Sequence, residues 1–104
     1  MLNSSQDTLE KNIEIAQKLV IKDLSIAEPG IVFSNLEKLE NWLTGEITLL
    51  MDQDFERLMN VLYRIDVSEH KTKLAFAASN PANELAKLII KREMQKVASR
   101  EKYK

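Results

Sequence analysis

Apolar residues recur every three or four positions along most of the chain, which is the spacing of one face of an α-helix. The first stripe begins near Asp7, where Glu10 stands three positions after the cap, as in a capping box. The members of this stripe are separated by steps of four, three, four and four residues: Leu9, Ile13, Ala16, Val20 and Leu24. Pro29 and Gly30 then interrupt the period and predict a boundary after this first helix.

A second helix is predicted from Ser34 onwards. Ser34 as the cap and Glu37 three positions later again have the capping-box spacing. Apolar residues follow on one side of this segment: Leu36, Leu39, Leu43, Ile47 and Leu50. Gly45 lies in the middle of the segment, and because glycine is costly inside a helix, we expect a bend or a close helix crossing there.

The apolar stripe continues beyond that segment through Phe55, Leu58, Met59, Leu62 and Ile65. A single helix over residues 34–66 would be about 50 Å long, too long for a compact partner of this size to cover. We therefore predict a break near Asp52, because Asp52 and Asp54 have the acidic character of a new helix start. An unbroken helix would indicate a coiled-coil dimer instead.

A short fourth helix is predicted after Asp66, which has Glu69 three positions later. The predicted apolar face of this helix comprises Val67, Leu74 and Ala78. Asn80 and Pro81 then start the last helix, because asparagine is a good cap and proline suits the first helical position.

Four or five amphipathic helices with short connections predict an all-α fold, either a small bundle or an orthogonal array, in one domain over residues 1–104. We expect its ends, about residues 1–6 and 100–104, to fray. No apolar run reaches the roughly 18 residues that a membrane-spanning helix needs. The first residues also lack the pattern of a secretory signal, so we expect a cytoplasmic location and no membrane partner.

The charge of the chain is uneven along its length. The formal net charge is -1, but residues 1–80 sum to -5 and residues 81–104 to +4. Arg92, Lys96 and Arg100 recur every four residues of the last helix, with Tyr103 just beyond them. Such a row could follow a phosphate backbone and stack one base. Cations near the negative end of the helix dipole explain the same residues without a ligand.

Tyr63 and Arg64 follow the apolar stripe at the predicted end of the third helix. Tyrosine and arginine are enriched among the residues that dominate binding energy at protein interfaces. A structural interpretation competes with this one, in which the Arg64 guanidinium bonds the last carbonyls of its helix or pairs with a carboxylate. The Tyr63 ring would then cover the edge of the core. We favour the structural interpretation and keep both residues as candidate partner contacts.

Candidate chemistry is sparse. The chain has no cysteine and a single histidine, His70, so thiolate sites and paired-histidine metal motifs cannot be built within one chain. Asp66 lies four residues before His70, a spacing that could hold a metal, although an exposed first-turn histidine is the simpler interpretation. Glycine occurs only at positions 30 and 45, which excludes a glycine-rich phosphate loop. We expect no enzyme activity, no cofactor and no metal.

Two functional hypotheses follow. The first is a non-catalytic protein-interaction module that binds a partner protein or a second copy of itself as a homodimer. The alternative is a nucleic-acid-associated protein that contacts phosphates through its last helix. The candidate partner-binding residues are Tyr63, Arg64, Arg92, Lys96, Arg100 and Tyr103.

Overall fold

Five helices follow one another in the part of the chain that the computed structural model describes, residues 4–102 with side chains for residues 8–100, and this part contains no strand. The helices are α1 (Ser4–Leu24), α2 (Leu36–Gln53), α3 (Phe55–Arg64), α4 (Glu69–Phe76) and α5 (Pro81–Lys102). They form a body of 45 × 29 × 24 Å. The predicted all-α fold is confirmed, with five helices. The fraying expected at the two ends stays a prediction.

α5 is the central helix, because it packs against α1, α2 and α4. α3 packs against α2 and also reaches α1. The buried face of α5 carries small and branched residues that let its neighbours approach: Ala82, Leu85, Ala86, Ile89, Ile90 and Val97. The hydrophobic core therefore lies around α5 and is closed by the two long helices α1 and α2.

The apolar stripes predicted from the sequence coincide with the buried positions of α1 and α2. These positions are Ile13, Ala16, Val20, Leu24, Leu39, Leu43, Ile47 and Leu50. Leu9, the first member of the predicted stripe, is exposed. The core begins one helical turn later, at Ile13, so this position was wrongly assigned to the core.

Three helix starts lie at or within two residues of their predicted positions. Asn35 caps α2 in place of Ser34, and its side-chain oxygen accepts the backbone N–H three residues later at 3.1 Å. Ser68 caps α4 in place of Asp66, with the equivalent hydrogen bond at 3.3 Å. Asn80 caps α5 as predicted, also at 3.3 Å. Each oxygen satisfies a backbone donor that has no partner within its helix.

The break predicted near Asp52 is present and lies at Asp54. The backbone N–H of Asp54 donates to the carbonyl of Leu50 at 2.8 Å and closes the last turn of α2. The Asp54 carboxylate accepts the backbone N–H of Arg57 at 3.1 Å and starts α3. One residue therefore ends one helix and caps the next, which keeps the two helices from forming a single rod.

The apolar face predicted for the fourth helix is wrong. Val67 and Ala78 lie outside α4, which has only eight residues, and Leu74 is exposed. The buried residues of α4 are Thr72 and Ala75. Because the three predicted residues span more positions than the helix has, they cannot share a face of it.

α1 and α3 end in the same way, with a residue in the left-handed backbone conformation. Ser25 has φ +54°, and the N–H of Ile26 donates to the carbonyl of Ile21 at 3.2 Å. Asp66 has φ +65°, and the next N–H donates to the carbonyl of Leu62 at 3.1 Å. These are Schellman motifs, in which glycine is the usual left-handed residue. Both helices therefore turn sharply into their following loops without a glycine.

The connection between α1 and α2 is fixed by the buried side chain of Gln17. Its Nε2 donates to the carbonyl of Ile31 at 2.8 Å, and its Oε1 accepts the N–H of Phe33 at 2.8 Å. The Phe33 ring then packs against Trp42 on α2, with ring centroids 5.8 Å apart. One side chain thus supplies hydrogen-bond partners for two backbone groups of the loop that would otherwise lack them.

Gly45 lies within α2, but the expected close crossing is absent. A Cβ atom placed on Gly45 would meet no atom within 4 Å, and the residue is exposed. We predict that Gly45→Ala raises the free energy of unfolding by about 0.5–1 kcal/mol, because alanine restricts the unfolded chain and favours the helix. Urea unfolding of the two proteins measures this difference. A loss of stability would show that the position needs glycine.

Candidate functional site

Three large side chains lie exposed along one face of α3. Phe55, Met59 and Tyr63 are 48%, 37% and 89% exposed and follow one another at intervals of four residues. Two such intervals in a helix cover about 12 Å. The Phe55 ring also contacts the ring of Phe76 at the end of α4, with centroids 5.7 Å apart. We call these four residues the α3–α4 surface.

The neighbouring face of α3, which packs into the core, explains why this surface is exposed. Leu58, Val61 and Leu62 are buried there against the rest of the fold. The helix has ten residues, so packing one face inward leaves the remaining apolar side chains facing outward. The apolar face of α3 is therefore wider than the part that the fold covers.

An open groove of about 570 Å³ lies beside Tyr63, between α3 and the start of α4. The groove is lined by Met59, Leu62, Tyr63, Asp66, Val67, Ser68, Glu69 and Thr72. Leu62 and Thr72 are buried, whereas Tyr63 at the edge is largely exposed. The lining therefore combines the apolar side chains of Met59, Leu62 and Val67 with a largely exposed aromatic side chain.

The charged residues of the groove are both acidic, since Asp66 and Glu69 line it and no basic residue does. The Asp66 carboxylate lies 3.6 Å from a guanidinium nitrogen of Arg92 but remains largely exposed. Glu69 makes no ion pair within the described side chains. The groove therefore presents negative charge next to apolar surface.

Arg64, a candidate from the sequence, points to the end of α1. Its guanidinium donates to the backbone carbonyl of Asp23. Arg57, one α3 residue that the sequence analysis missed, donates to the carbonyls of Leu24 and Ser25. The two arginines are seven positions apart and thus on one side of α3, and this spacing was the signal for a shared target. Both place cations at the negative end of α1.

The basic row predicted on the last helix is largely engaged within the chain. Arg92 donates through Nε to the carbonyl of Ile65 at 3.2 Å, at the end of α3. Lys96 lies 3.5 Å from the carboxylate of Glu93. Arg100 is exposed, and Tyr103 lies outside the described residues. The structure thus brings Arg92 to the Asp66 side of the groove, while a partner contact by these residues stays a prediction.

Glu93 is a fully buried carboxyl between α5 and α1. Neither of its oxygens has a hydrogen-bond partner within the described part of the chain, and Lys96 is at ion-pair distance only. Burial raises the pKa of Glu93 from its ordinary value of 4.5 to about 7. The neighbouring Asp23 carboxylate raises the pKa further, and Lys96 opposes the increase.

Comparison with known proteins identified no relative: no family model, no curated protein and no solved structure matches this chain. Among the side chains of residues 8–100, no three potential metal ligands come together. Within residues 4–102, no helix has the length and apolar character to cross a membrane.

We predict that the protein loses stability as the pH rises from 5 to 8. With its raised pKa, Glu93 binds a proton more tightly in the folded protein than in the unfolded chain. The folded state therefore holds more protons between pH 4.5 and about 7, and its stability falls as the pH rises through this window. The loss should amount to about 2–3 kcal/mol in urea unfolding, at 1.36 kcal/mol for each pH unit between the two pKa values.

Glu93→Gln should flatten this dependence and be more stable than the unchanged protein at pH 8. Glu84→Gln, which changes a half-exposed glutamate on the same helix, serves as the control and should keep the slope. Equal slopes for the unchanged protein and Glu93→Gln would mean that Glu93 does not cause the effect.

We predict that Arg57→Ala lowers the free energy of unfolding by about 1–3 kcal/mol, because the carbonyls at the end of α1 lose a charged donor. Arg100→Ala, at an exposed position of α5, should change it by less than about 0.5 kcal/mol. Unfolding in urea compares the two variants directly. Similar small losses in both would show that the Arg57 contacts contribute little.

Proposed function

We propose that this chain is a small helical protein-interaction module that binds a partner protein through the α3–α4 surface. The observation that carries the proposal is the exposure of Tyr63, at 89%, beside a groove whose lining includes Met59, Leu62 and Val67. Tyrosine is enriched among interface residues that dominate binding, and such residues sit against pockets that a partner completes. A contiguous apolar patch of this kind is a marker of interaction sites.

The energetics support a binding role. Complete burial of an aromatic side chain removes roughly 150–250 Å² from water, and apolar burial contributes about 25 cal/mol per Å². Tyr63 and Phe55 both keep much of their surface exposed in the isolated chain. A partner that covers both therefore gains several kcal/mol, from which the cost of association is subtracted.

Phosphate binding through α5 is the second candidate. One observation favours it: a cleft of about 280 Å³ beside α4 and α5 is lined in part by Lys71, Lys91 and Arg92. Arg92 and Lys96, however, already contact backbone or carboxylate groups of the chain itself. We rank this function second because two of the three predicted phosphate contacts would have to leave existing partners.

Site-specific photo-cross-linking tests the first proposal. A photoreactive phenylalanine analogue replaces Tyr63 in the full chain, in cells that naturally produce the protein. We expect a cross-linked adduct of defined mass at position 63. The same analogue at Leu74 is the control, because Leu74 is exposed and lies two residues past buried Thr72, on the far side of α4.

Adduct formation at both positions, or at neither, would contradict the proposed surface. Light scattering of the purified chain at low salt with a random oligonucleotide tests the second candidate. Phosphate binding would appear as a complex that dissociates as salt is added.

A further inference from the structure

We propose that the partner segment that binds this surface is a basic amphipathic helix of another protein. Its apolar side chains would cover Phe55, Met59 and Tyr63, and a lysine or arginine at the edge of its apolar face would lie beside Asp66 and Glu69. This inference rests on the proposed function and specifies the chemistry of the partner.

The shape of the surface fits a helix. Phe55, Met59 and Tyr63 form a row of about 12 Å along α3, slightly more than two helical turns of a partner. The row winds gradually around α3, because a step of four residues exceeds one turn of about 3.6 residues. A partner helix that presents apolar residues at intervals of three and four positions offers a row of the same length. The groove between α3 and α4 lies alongside this row and accepts side chains from one edge of it.

The acidic residues of the groove favour a partner helix with basic residues along the edge of its apolar face. Asp66 and Glu69 line the groove, and Glu56 is exposed next to Phe55 at the other end of the row. Arg92 from α5 pairs with Asp66, which leaves Glu69 and Glu56 without an ion pair within the described side chains. The two arginines of α3 do not offset these two charges, because both donate to carbonyls at the end of α1. The fold thus withdraws the basic residues of α3 from the side that carries the exposed apolar row.

A second copy of the chain fits this surface less well. A two-fold interface places the same patch of both subunits face to face. Such an interface would enclose the acidic groove residues of both copies without a basic residue from either groove lining, and like charges brought together across an interface weaken it. The basic end of α5 in a second copy would give a head-to-tail contact, which extends into filaments unless it closes. We therefore assign the site to a different protein.

Two synthetic peptides test the proposal. Both are 16-residue amphipathic helices of leucine and alanine, one with lysines along the edge of its apolar face and the other with glutamates at the same positions. Each is titrated into the isotopically labelled full chain and followed by NMR and calorimetry. We expect the lysine peptide to shift the amide signals of Met59, Tyr63 and Glu69, and to bind at least 10-fold more tightly than the glutamate peptide.

Three variants locate the effect. Tyr63→Ala should lower the affinity for the lysine peptide about 10-fold or more, because it removes a large aromatic side chain of the proposed interface. Glu69→Lys should lower the affinity for the lysine peptide about 2- to 5-fold and raise the affinity for the glutamate peptide. Glu37→Lys is the matched control, since Glu37 is also an exposed glutamate in the first turn of a helix, and it should leave both affinities unchanged. The urea midpoint of each variant verifies that the chain remains folded.

The outcomes separate this inference from the proposed function. If both peptides bind equally well and Tyr63→Ala abolishes this binding, the inference of a basic partner helix is wrong. The proposed interaction surface would still be supported. Binding of neither peptide, or a doubled mass of the free chain in light scattering that Tyr63→Ala abolishes, would also overturn the inference of a basic partner helix. A cross-link at position 63 would in those cases still support the surface itself. Loss of both the cross-link and the peptide binding would remove the two proposals together.

Discussion

The orientation of α3 depends on the carbonyl groups left at the end of α1. The last carbonyls of a helix have no donor within it, and here Arg57 and Arg64 supply guanidinium donors from α3. Because these two side chains must face α1, the rotation of α3 about its own axis is set. Leu58 then lies in the core, and Tyr63 lies on the outside. The exposed surface follows from the way this helix is held.

The same interaction recurs between α5 and α3. Arg92 donates to the carbonyl of Ile65 and pairs with Asp66, so it holds the end of α3 and the start of the groove. The arginines of this part of the fold are therefore used inside the chain to satisfy helix ends. The groove is lined by the acidic residues Asp66 and Glu69, although the basic residues of α5 lie close to it.

The burial of the Glu93 carboxyl destabilises the folded state when the carboxyl is charged. A fully buried carboxyl without hydrogen-bond donors is unfavourable in its charged form, and Lys96 compensates for this only in part. The pattern of α5 contains a signal for this burial, because Glu93 lies four positions after Ile89 and four before Val97, on the apolar stripe of the helix. Its burial follows from the way α1 packs across α5.

Helix periodicity and capping chemistry determined most of the fold from the sequence alone. Asn80 as a cap and the break near Asp54 follow from local hydrogen bonding, which neighbouring residues decide. Leu9 and Leu74 were wrongly assigned to buried helix faces. Apolar spacing gives the face of a helix, but it does not show how far along that face a neighbouring helix extends. Tyr63 was named from its residue type, whereas its exposure came only from the structure.

The sequence by itself determined that the chain forms amphipathic helices, where most of them begin, and which residues could take part in binding. Only the tertiary structure decided which arginines are used internally, that Glu93 is buried, and that Asp66 and Glu69 line one groove with Tyr63. The physical reason is that helix formation depends on residues three or four positions apart, whereas burial and charge pairing join residues that are distant in the chain. The contact of Arg92 with Ile65, 27 positions apart, is one such case.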